Sequence, residues 1–196
     1  MRRHMMRFML CAMLLMGCTS AKVSNDAKME TYETYYNSIS ANTTSSKSSE
    51  YYAVSYEMVQ LADGSYRYYV FFDEPKIAMY DIVILGVEDD ISFDDAEKMM
   101  PSIGIFDSHY AMVPYQVNSA QGYVKGMAIS GESKVPFLQL KTIVEWKDKS
   151  GKNITREFLQ LIISMDGNET TETVEDVEDL GESGEGQDVH EEPGNE

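Results

Sequence analysis

The chain has 196 residues, 16 of them basic and 33 acidic, for a net charge of −17; that length suits one domain with tails and is short for two. Such acidity argues against nucleic acid as a partner, since phosphate would be repelled, and against a polybasic grip on anionic lipid.

The first residues read as an export signal. Arg2, Arg3 and Arg7 make a basic start, Phe8 to Met16 is a short apolar run, and Gly17-Cys18 closes it with a small residue at a cut site. The run is too short to span a bilayer. The order Leu15-Met16-Gly17-Cys18 resembles the lipobox of bacterial lipoproteins. That resemblance implies cleavage before Cys18, a diacylglyceryl group on its sulfur, and a mature chain held on the extracytoplasmic face of the cell membrane by its acyl chains. Residues 1–17 are then the signal, and 179 residues remain, with a net charge of −20 because three arginines leave with it. Cys11 leaves too and Cys18 carries lipid, so no thiol remains for a disulfide or metal site and the fold must hold by packing. His4-Met5-Met6 after the arginine pair does not resemble a twin-arginine signal, which points to unfolded export.

Residues 18–50 read as a polar tether. Asn25 to Tyr36 can form a short, marginal helix with Met29, Tyr32 and Tyr36 at spacings of three and four, while Asn37 to Glu50 is nearly all small and polar and cannot offset its ordering entropy by burial. The folded domain is expected over 51–165. From Tyr51 to Gln60 the pattern alternates with period two, Ala62-Asp63-Gly64-Ser65 is a hairpin turn, and Tyr66 to Phe72 is the returning strand. Ile77 to Val87 is a third strand, apolar enough at Ile82 to Leu85 for burial on both faces. Ser92 is placed to cap one or two turns of helix from Phe93, stopped by Pro101. Ser102 to Val117 is less regular, with short strands at Ile103 to Phe106 and from Ala111, the latter broken by Pro114.

Gln121 to Ser130 resumes as a strand, and Gly131-Glu132-Ser133-Lys134 is expected to turn. Phe137 to Trp146 alternates cleanly, with Leu138, Leu140, Thr142, Val144 and Trp146 on the core side. Asp148 to Gly151 is a hairpin loop, and Ile154 to Ile163 is the partner strand. Residues 166–196 hold 13 acidic side chains and no lysine or arginine, which predicts a solvated acidic tail.

Seven or eight short strands over roughly 115 residues with little helix is the pattern of a two-sheet β-sandwich. Tyr123 to Ile163, with Trp146 near a strand end before Lys147-Asp148-x-x-Gly151-Lys152, resembles the later strands of immunoglobulin-like domains of bacterial surface lipoproteins. The fold expected is therefore all-β and immunoglobulin-like, with one short helix, although Trp146 has no cysteine pair to pack against.

Catalytic chemistry finds little support. His109 and His190 are the only histidines past the signal, there is no Gly-x-Ser-x-Gly element and no phosphate loop, and no cofactor is implied. Asp89, Asp90, Asp94 and Asp95 are weak candidates for a hard cation, at a spacing unlike the calcium loop. The tyrosines Tyr51, Tyr52, Tyr56, Tyr66, Tyr68 and Tyr69 are the candidate partner-binding residues, since a rigid ring with a hydroxyl suits a protein or glycan contact; cross-strand pairing that merely stabilises the hairpin is the competing role. The expectation is a non-enzymatic lipoprotein that binds a protein or envelope component, with a cation- or small-ligand module on the 88–95 loop as the alternative.

Overall fold

In a computed structural model, residues 25–165 are described; the signal segment, Cys18 and the acidic tail lie outside the described residues. Seven strands form two antiparallel sheets. Strands β1 (Ala53–Gln60), β2 (Tyr66–Asp73) and β5 (Met127–Ser133) make one, in the order β1-β2-β5. Strands β3 (Tyr80–Glu88), β4 (Ser102–Ile103), β6 (Phe137–Lys147) and β7 (Ile154–Ser164) make the other, in the order β4-β3-β6-β7. The chain is thus a two-sheet β-sandwich in which the short fourth strand sits beside the third.

The two hairpins follow from local chemistry. Between β1 and β2, Gly64 takes φ +86°, its amide donates to the Leu61 carbonyl at 3.0 Å, and the Asp63 carboxylate receives the Ser65 amide at 3.0 Å. This fixes the register from Ala53 opposite Asp73 to Gln60 opposite Tyr66. Between β6 and β7, Gly151 takes φ +71° and its amide reaches the Asp148 carbonyl at 2.9 Å.

Alternation then decides what is buried. Tyr68, Val70 and Phe72 of β2 meet Leu138, Leu140, Val144 and Trp146 of β6 and Leu159, Leu161 and Ile163 of β7 in the space between the sheets. Where antibody domains set tryptophan on a disulfide, Trp146 packs edge-on against Tyr52, ring centres 6.1 Å apart at 89°, and against Tyr51 at 5.5 Å.

A third layer covers the other face of the larger sheet. Helix α1 (Asn25–Ala41) buries Tyr32, Tyr36 and Ile39, which share one face by their spacing of four and three, against Leu85, Val87 and Ile143. The helix expected to be short and marginal is therefore 17 residues long, and tertiary packing is what holds it. Burial of β3 on both faces has the same origin: Ile82 and Ile84 face the sandwich, Leu85 and Val87 the helix.

The polar run after α1 also differs from the tether expected for it. Ser46 bridges β7 in parallel, its amide on the Phe158 carbonyl and its carbonyl on the Gln160 amide, both at 2.9 Å, and the Ser49 hydroxyl donates to Glu157 at 2.7 Å. A strand edge demands backbone partners rather than apolar side chains, so small polar residues cover it well.

Two local expectations are corrected. After Ser92 there is a hydrogen-bonded turn and no helix, with the Asp95 amide on the Ser92 carbonyl at 3.2 Å and the Ala96 amide on the Phe93 carbonyl at 3.4 Å. It stops because Phe93 is drawn into the α1 cluster and Lys98 is pulled to Glu88 at 2.8 Å. Gly131, Glu132 and Ser133 do not turn but continue β5 opposite Tyr68, Arg67 and Tyr66. Gly131 serves close approach: a side chain there would collide with the Tyr68 hydroxyl and lie 2.7 Å from Glu88 Oε1.

Candidate binding surface

On β2 the side chains that point away from the core are Arg67, Tyr69 and Phe71. The Tyr69 and Phe71 rings stack along the strand, centres 6.3 Å apart and nearly parallel at 15°. Both rings lie outside the two buried clusters. The register sets Glu57 and Ser130 beside Tyr69, and Ser55 and Ala128 beside Phe71. Because those neighbours are short or end in charge, the two rings form a raised, half-buried ridge in the middle of the three-stranded sheet. Arg67 and Glu132 pair at one end of it, which fixes the guanidinium without burying it.

The six tyrosines named from the sequence thus divide. Tyr52 and Tyr68 are buried in the core, and Tyr51, Tyr56 and Tyr66 pack partly against it; only Tyr69 belongs to the outer ridge. Phe71 is the ridge neighbour that the tyrosine count passed over, although it sits two residues from Tyr69 and the period of two places both on one face.

Tyr68 has a different job. Its hydroxyl donates to Glu88 Oε1 at 2.7 Å, and the same carboxylate holds the Lys98 ammonium at 2.8 Å. Burial first, and then the Glu88 charge, push the Tyr68 hydroxyl far above the ordinary phenol value. The recess over this network, about 320 Å³ and lined by Arg67, Lys98, Glu88 and Glu132, carries charges already satisfied by one another: Lys98 also donates to the Glu132 carbonyl at 2.6 Å.

The aspartates of the acidic loop are not brought together. Asp89 receives the Gln139 amide at 2.9 Å, Asp90 pairs with Lys141 at 2.7 Å, and Asp95 receives the Ser92 hydroxyl at 2.6 Å. Asp89 and Asp90, both at positive φ, turn toward β6, while Asp94 and Asp95 lie in the separate turn that follows Ser92. Among the described residues no group of three or more His, Cys, Asp or Glu side chains is arranged to hold a metal ion. His109 is exposed, 3.9 Å from Asp81, in a shallow recess of about 210 Å³ whose lining contains no serine, threonine or cysteine. Among the described residues no helix is long and apolar enough to cross a membrane.

Compared with known proteins, the chain matches no family model, and no curated protein and no solved structure matches it.

Proposed function

We propose that the chain is a non-enzymatic, lipid-anchored binding module, held by Cys18 on the extracytoplasmic face of the cell membrane and contacting an envelope protein through the outer face of its three-stranded sheet. The observation that carries this reading is the Tyr69–Phe71 stack, 6.3 Å between ring centres, set among the short or charged residues Ser55, Glu57, Ala128 and Ser130 of β1 and β5. Aromatic rings in such a setting supply large rigid contact area at little entropic cost, and rings at the centre of an interface are typically worth about 2 kcal/mol or more each. The basic start, short apolar run and Cys18 support the anchor; the acidity of the chain supports a protein partner rather than an anionic polymer.

Crosslinking in living cells, read by mass spectrometry, tests it with three forms: the full chain, Cys18→Ala, and the double variant Tyr69→Ser with Phe71→Ser. The reading expects one dominant partner whose links fall on β1, β2 and β5, lost in the unanchored form and reduced at least about tenfold in the double variant. Links scattered over the domain, or unchanged without the two rings, overturn it.

A further inference from the structure

We infer that the domain does not stand off from the membrane but rests on it, with Met29, Met99 and Phe106 meeting the lipid headgroup boundary; this builds on the Cys18 anchor proposed above. Three observations converge.

The first is an apolar grouping in the open. Met29 is 40 % exposed, Met99 51 % and Phe106 37 %, and they come from three separate segments gathered around the first turns of α1. Met29 and Met99 line one recess of about 340 Å³ together with Tyr32 and Phe93. The Phe106 ring lies 5.6 Å from Tyr32, and the Phe106 carbonyl accepts the Lys28 ammonium at 2.8 Å.

The second is the reach of the chain. Seven residue steps separate Cys18 from Asn25, the first residue of α1. Even fully extended they cover about 25 Å, and Met29 follows one helical turn, about 6 Å, further on. An anchor at Cys18 therefore draws this end of the domain toward the bilayer before any other. Phe137, Ile162 and Tyr115 are also exposed, but no short connection leads from them to an anchor.

The third is the direction of α1. Its first turns touch Phe106 and, through the Tyr32 hydroxyl, the Met100 amide at 2.8 Å, beside the β4 edge. The residues after its C-terminus reach Leu159 on β7 at the opposite edge. The sandwich consequently meets the bilayer by its β4 edge and presents β7 away from it. Asp26 and Glu97 flank the apolar group together with Lys28 and Lys98, so its rim carries both signs of charge and the contact suits zwitterionic headgroups.

The test uses the lipidated full chain, purified from membranes and reconstituted into phosphatidylcholine vesicles that carry a quenching lipid. With Cys18 occupied by lipid, Met99→Cys and Ile162→Cys each offer one thiol for a polarity-sensitive fluorophore, and both positions are exposed enough to accept the change. The inference expects both labelled proteins to float with the vesicles and quenching at 99 at least about threefold that at 162, since interfacial side chains sit roughly 5–10 Å into the boundary. Flotation with equal quenching, or stronger quenching at 162, overturns this orientation and leaves the anchor standing. Failure to float removes the anchor and the orientation with it.

Discussion

Replacing Tyr36 asks whether α1 is part of the domain or an appendage to it. Tyr36 is fully buried, its ring meets Phe93 edge-on with centres 5.4 Å apart, and its hydroxyl donates to the Ile91 carbonyl at 2.6 Å. Tyr36→Phe removes only that hydrogen bond and should cost about 1 kcal/mol. Tyr36→Ala also empties an aromatic site between helix and sheet, for which about 3–5 kcal/mol is usual. Domains of this size hold about 5–15 kcal/mol in all, and with a urea slope of about 1–3 kcal/mol per molar the midpoint should fall by about 1–5 M. The assay is urea unfolding of the signal-free Cys18→Ala chain, followed by two probes. Trp146, the sole tryptophan, reports the interior between the sheets, and far-ultraviolet dichroism reports the helix. Both should move together in one transition. A loss below about 1 kcal/mol, or a helix signal that melts ahead of Trp146, would refute the docking of α1 as an integral layer.

Gly104→Ala should destabilise by about 3 kcal/mol or more in the same assay, because φ is +81° and an added Cβ would run into the Ile82 carbonyl. Tyr115→Gly should be neutral or stabilising by up to about 1 kcal/mol: the side chain is wholly exposed while its φ of +64° is strained for any residue with a Cβ. Glu145→Ala should loosen α1 selectively, raising amide exchange across the helix, since this carboxylate receives the Tyr35 hydroxyl at 2.6 Å and Arg156 Nε at 2.8 Å; unchanged exchange in α1 contradicts the clamp. At alkaline pH, burial pushes the Tyr36 hydroxyl up to about 12, and Tyr32, Tyr35, Tyr52 and Tyr68 are raised as well, in each case chiefly by burial. The unfolded chain ionises these groups near pH 10 while the folded one keeps them protonated, so their contribution is intact at neutral pH and is lost progressively as pH rises above about 10. Phenolate absorbance should accordingly rise in two steps, the second coinciding with unfolding.

Much of the sandwich was legible from period-two alternation. The five core-facing positions predicted on Phe137 to Trp146 are all buried, and the Asp-Gly and Ser-Gly loops close hairpins where turn chemistry placed them. The helix was underestimated for a physical reason: Tyr32, Tyr36 and Ile39 gain their stability from Leu85, Val87 and Ile143, which are distant in sequence, and propensity alone does not register such a partner. Gly131 misled in a similar way. A glycine among polar residues reads as a turn until Tyr68 and Glu88 are seen behind it. The candidate surface was half legible, because alternation separates Tyr69 from Tyr68 but nothing local tells which of the two faces meets the other sheet.

The most direct measurement of the central claim is site-specific photocrosslinking in cells, with a photoreactive residue at Phe71 on the outer ridge and, separately, at Ser150 in the β6–β7 loop. A sheet-face binding module predicts one discrete adduct from position 71, lost when Cys18→Ala releases the chain, and none of that size from position 150. Equal adducts from both positions, or none from 71 while the anchored protein is abundant, would contradict it.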